Sequence, residues 1–180
     1  MVSPTLLLST NSSRILVRRY EFPVKKDPLT ADELRHLEHR WAVITSFLDV
    51  ASDSTYTHAP AYTAEWRVYR GCMDGAIATC RALCERFNLT VHSKNWTAAL
   101  QQCTPAFKTK LRALVPRTGD RECEALWEVL VAANRCVCHL EDKLIDHNVA
   151  SETLQAAVRL VESIIRGRLT DAGLPLTLCR

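Results

Sequence analysis

The densest chemistry in the sequence is the run Asn134-Arg135-Cys136-Val137-Cys138-His139-Leu140-Glu141-Asp142. Arg135 and His139 are four apart, so on a helix their side chains project from nearly the same side. Asp142, three beyond His139, is spaced to orient the imidazole. A histidine beside a cation and a carboxylate suits general acid–base work, because its ordinary pKa lies near neutrality. The same spacing also describes a solvated helical face with routine i,i+4 contacts, and spacing alone favours that plainer reading.

Other clusters are thinner. Cys136 and Cys138 point about 200° apart on an ideal helix, so they cannot jointly chelate a metal. Cys80 and Cys84 share a face and with a histidine could begin a zinc site, but no CxxC pair or fixed His spacing supports one. Small apolar core positions suit them better. Arg67, Arg70, Arg81 and Arg86, with Trp66, suggest a basic, aromatic-flanked RNA surface. Against that, the arginines spread around their helix, and Arg70, Arg81 and Glu85 read as solvated rows. Gly71 and Gly75, one turn apart, invite close approach of another helix, more simply inside the bundle than across a homodimer. There is no phosphate-binding glycine loop, nucleophile elbow or HExxH, so kinase, hydrolase and zinc-protease readings lack a motif. No cofactor and no metal are expected.

The elements that must position these residues read as helices. Five Gly and seven Pro in 180 residues are few for a turn-rich fold, and 47% apolar with 24% charged residues is ordinary globular composition. The expected architecture is all-α, a helical bundle of about five helices behind a short N-terminal β-like hairpin. Residues 1–28 form the extended segment, 29–175 the bundle and 176–180 a tail. In the first helix Thr30 and Glu33 make a capping box, and Leu34, Leu37, Trp41, Ile44 and Leu48 form its stripe, widened by Val43, Phe47 and Val50. Residues 52–61 read as a loop.

The second helix is expected over 62–87, with Tyr69, Met73, Ile77, Cys80, Cys84 and Phe87 as its stripe and Asn88 ending it. A short helical pair follows over 95–102 and 105–115, with Pro105 at the first helical position. The fourth helix, counting the short pair as the third, spans 120–146, with Leu126, Leu130, Ala133, Val137, Leu140 and Leu144 on one face. The last helix begins with Ser151 as its cap, buries Leu154, Val158, Val161, Ile165 and Leu169, and stops at Gly173 and Pro175.

A net charge of +3 is too small to mark nucleic-acid binding by itself. No apolar run is long enough to span a bilayer, and the start lacks the basic flank of a signal peptide. The expected setting is therefore cytoplasmic with no membrane contact, the eight cysteines reduced and mostly buried, and the sequons at Asn11, Asn88 and Asn95 fortuitous.

The order of helices, with Asn-x-x-x-x-His-Leu-Glu from Asn134 to Glu141, resembles the HEPN superfamily, particularly its uncharacterised and abortive-infection-like branches. The resemblance spans roughly residues 30–174, with motif-level similarity over about eight residues. It implies a defence or regulatory role, RNA or a nucleotide as partner, and a homodimer. Active members are metal-independent endoribonucleases whose Arg and His meet across the dimer, hold the scissile phosphate and assist attack by the 2′-hydroxyl. Carried over by position, the family histidine falls on His139 and its polar companion on Asn134, but the family arginine falls on Ala133. An alanine cannot stabilise a phosphorane. Either Arg135 substitutes, though closer to His139 than the family spacing, or the fold is kept and the nuclease is lost. The second is favoured slightly. The candidate catalytic set is His139, Arg135 and Asn134.

The competing reading is a non-catalytic helical module that binds a protein, for example a viral regulator of Bcl-2-like shape. Asn95-Trp96 lacks the Gly-Arg that follows in that family's central motif.

Overall fold

The computed structural model describes residues 30–91, 102–134 and 149–174. Among them are six helices and no strand: α1 (Ala31–Ser52), α2 (Ser54–Thr57), α3 (Ala64–Arg86), α4 (Pro105–Leu114), α5 (Asp120–Ala132) and α6 (Ser151–Asp171). The all-α bundle is therefore as expected. The hairpin within residues 1–28, the expected short helix at 95–102 up to residue 101, the continuation of the helix expected at 120–146 beyond 134 and the tail at 176–180 lie outside the described residues; Gln102 is described and is not helical.

α3 is the central element, packing on α1, α5 and α6, while α6 also packs on α1 and α5. The periodic stripes drive this arrangement, because each helix has one apolar side that must leave water. Leu37, Trp41, Ile44 and Phe47 of α1 meet Met73, Ile77, Cys80 and Cys84 of α3 in one continuous core. Leu154, Val158, Val161, Ile165 and Leu169 of α6 are all buried there, as their spacing requires. α4 packs mainly on α5, through Phe107 edge-on to Trp127 with ring centroids 5.1 Å apart.

The helix ends follow from local chemistry. Thr30 Oγ1 accepts the Glu33 N–H at 3.2 Å and the Glu33 carboxylate accepts the Thr30 N–H at 3.0 Å, completing the expected box. Pro105 occupies the first turn of α4, where a missing N–H costs nothing, and Thr104 caps it. α3 closes in a Schellman motif. Leu89 N–H reaches Cys84 O at 2.8 Å and Asn88 N–H reaches Glu85 O at 3.1 Å, with Asn88 at φ 56°. α6 closes the same way through Gly173 at φ 68° and Leu174.

Four local readings are revised. The loop expected at 52–61 contains α2, a single turn started by Asp53, whose carboxylate accepts the Thr55 N–H at 2.8 Å. α3 begins at Ala64 rather than 62, because Tyr62 has left-handed backbone and Thr63 is the cap. α6 is capped by Ala150, whose backbone is extended. Ser151 is already helical, and its hydroxyl accepts from the Gln155 amide at 3.3 Å. Of the two glycines, only Gly75 lies against a neighbour, where an added Cβ would sit 3.6 Å from Val43 Cγ1; Gly71 faces open space.

Candidate functional site at the end of α5

α5 begins with an acidic turn and ends in an apolar one. The Glu122 carboxylate accepts the Gly119 N–H at 2.7 Å, placing negative charge at the positive end of the helix. Its last residues, Val129, Leu130, Val131 and Ala132, and Ala133 after them, are all buried. Five consecutive buried residues mean that this helix end is enclosed on every side. The chain continues through Ala133 and Asn134 in a widened, π-type turn, a feature frequent where a helix presents functional groups.

Ala133 is 0% exposed. A cation at that position would be stripped of water without a built partner, at a cost of several kcal/mol. Asn134 is half-buried, and its Nδ2 donates to the Val91 carbonyl at 3.4 Å, tying the start of the motif to the stretch that follows α3. Of the three candidate residues Asn134 alone is described; Arg135 and His139, with Asp142, Cys136 and Cys138, lie outside the described residues.

The remaining chemistry-bearing groups resolve into packing and clamping roles. Cys80, Cys84, Cys103 and Cys123 are buried free thiols. Burial pushes the Cys80 thiol up to about 12 and Cys103 to about 11, and raises Cys84 and Cys123 as well. None of these four is a thiolate nucleophile at neutral pH. Among the described residues no group of three or more His, Cys, Asp or Glu side chains could hold a metal ion.

Lys108 bridges Asp120 at 3.2 Å and Glu124 at 3.1 Å, while Arg112 holds Asp120 at 2.5 Å and the Thr118 carbonyl at 3.2 Å. These contacts hold the Asp120 carboxyl below its ordinary range, chiefly through the Arg112 hydrogen bond. The cluster fastens α4 to α5 with its own counter-charges and leaves little for a ligand. Of the four arginines read as a basic surface, Arg81 pairs with Glu85 at 2.8 Å and Arg86 pairs with Glu33 across to α1.

The sequence reading did not anticipate Tyr62. It stands largely in solvent, 76% exposed, with its ring centroid 5.3 Å from that of Trp66. The chain there, Pro60-Ala61-Tyr62-Thr63, contains no glycine, so nothing in it announced a left-handed residue. Among the described residues no helix is long and apolar enough to cross a membrane.

No model of a known family, no curated protein and no solved structure matches the chain.

Proposed function

We propose that the chain is a HEPN-like helical domain that binds RNA or a nucleotide in a regulatory or defence setting, with the family's ribonuclease site degenerate. The observation that supports the degenerate-site part of the reading is the burial of Ala133. The resemblance assigns that position to a phosphate-clamping arginine, and here it is a sealed core residue. A guanidinium does not fit there, so within this motif the cation falls to Arg135. That residue sits too close to His139 for the family's geometry. Binding of phosphate through Arg135 and His139 then survives where in-line cleavage does not, because catalysis needs donors placed on the transition state and binding does not. Asn134, held on Val91, fixes where the motif starts.

The test uses a labelled single-stranded RNA with chelator present, and compares the wild type with Arg135→Ala and His139→Ala. The expected result is binding without cleavage by the wild type, weakened about tenfold or more by Arg135→Ala, as loss of a charge-assisted phosphate contact implies. Chelator-resistant cleavage abolished by His139→Ala would restore an active nuclease. Binding indifferent to both substitutions would remove the motif from the site. Sedimentation of the free protein decides whether the binding unit is the homodimer that the resemblance implies. Installing Ala133→Arg is expected to unfold the bundle rather than to recover activity, read by loss of its cooperative thermal transition.

A further inference from the structure

We propose that the turn before α3 is a stacking site for an unpaired nucleobase, with Tyr62 as the platform and Arg67 as the contact to the adjoining phosphate. The proposal goes beyond the motif on α5 and does not rest on it.

The argument starts from the backbone. Thr63 N–H closes on the Pro60 carbonyl at 3.2 Å, and Tyr62, third in this four-residue turn, has φ 71°. That is the left-handed position of a type II turn, which glycine fills at no steric cost and a bulky side chain fills only under strain. The ring of Tyr62 does not offset this by entering the core, since it is 76% exposed. Among the described residues its ring pairs with Trp66, tilted at 47° between planes. An aromatic held in solvent on strained backbone is an outlier from which a function can be argued.

Charge and size then select the occupant. The Arg67 side chain is exposed, on the first full turn of α3 beyond its cap, and it forms no ion pair among the described residues. Glu65 lies about 160° around the helix from it and Asp74 two turns further along, by ideal geometry. Tyr62 and Val68 are the large hydrophobic residues exposed among those described. Two such side chains are far short of the roughly 800 Å² per partner of a stable protein interface. One exposed aromatic ring, followed five residues on by an exposed guanidinium with no ion pair among the described residues, instead matches a base and its phosphate, the pairing on which single-strand binders rely. The shared chemistry is that of single-stranded RNA and single-stranded DNA.

The experiment measures fluorescence anisotropy of 3′-labelled U8 RNA and dT8 DNA with the full chain at low salt, beside a thermal melt of each variant. The wild type is expected to bind, Tyr62→Phe to bind like it, and Tyr62→Gly to bind at least about fivefold more weakly, the lower end for loss of one stacked base. The Tyr62→Gly protein should keep its melting transition, because glycine relieves the left-handed backbone. Arg67→Gln should reduce the slope of log affinity against log salt by about 0.7, one phosphate's worth on a single strand. A preference between the two oligomers identifies which nucleic acid the site takes.

The proposal is overturned if neither oligomer binds the wild type, which leaves the shelf to another class of partner. It is overturned equally if Tyr62→Gly binds as the wild type does, or if that variant loses its transition, which would make the ring a cover for Trp66. Arg135→Ala and His139→Ala serve as separate arms. Loss of binding there with Tyr62→Gly unaffected favours the α5 motif alone, and the converse favours the shelf alone.

Discussion

The two ends of α3 carry the same backbone irregularity for different reasons. Tyr62, just before its cap, has φ 71°, and Asn88, just after its last turn, has φ 56°; among the described residues no other non-glycine residue has positive φ. At the C-terminal end local physics accounts for everything. Asparagine tolerates the left-handed region, the Schellman bonds satisfy orphan carbonyls, and the turn delivers Leu89 into the core at 1% exposure. At the N-terminal end the left-handed residue sits in a four-residue turn instead of a Schellman motif, and it is a tyrosine whose ring goes to water. The comparison separates a conformation required by folding from one whose side chain looks outward.

The largest way to sharpen that contrast is at Leu89. Leu89→Ala empties a fully enclosed site, so a loss of about 2–5 kcal/mol is expected in denaturant unfolding. Nothing at the other end of the helix should match it. Next is Thr63, whose Oγ1 accepts the Trp66 N–H at 3.2 Å. Thr63→Ala removes the cap of α3 and should cost about 1 kcal/mol, with Thr63→Ser recovering most of it. A cost near that of Leu89→Ala would mean that the Pro60–Thr63 turn is a folding element after all, and the contrast between the two ends would collapse.

Most of the fold was legible because it is periodic. The α1 and α6 stripes, the Thr30–Glu33 box, Pro105 at the start of α4 and the stops at Asn88 and Gly173 are all short-range signals, and each appears where its residues dictate. What was not legible depends on backbone choices that composition leaves open. Ser151 looks like a cap, but Ala150 is the residue with extended backbone. Asp53 can start a helical turn inside a stretch rich in polar residues. For the site, the sequence placed Ala133 both on the apolar stripe of its helix and at a departure from a motif, and its burial bears the stripe out and closes the position to charge. The arginines of α3 read as spread around the helix more than as one surface, and Glu85 and Glu33 hold two of them.

The smallest effect is the most discriminating. At both left-handed positions the difference between glycine and alanine isolates the backbone, because neither carries a functional side chain. That difference should be similar at 62 and 88, about 1 kcal/mol in favour of glycine, reflecting the left-handed cost less glycine's greater freedom in the unfolded chain. The wild-type residue is then placed on each scale. Asn88 should fall between its glycine and alanine variants, since its short amide tolerates the conformation. Tyr62 should fall within about 0.5 kcal/mol of Tyr62→Ala, because its side chain is exposed and its ring meets Trp66 only at a tilt. Thermal or urea melts of the four variants and the wild type measure all of this. A Tyr62 more stable than its glycine variant would mean that the ring is held for the fold, and the case for an outward-facing function at that end of α3 would go with it.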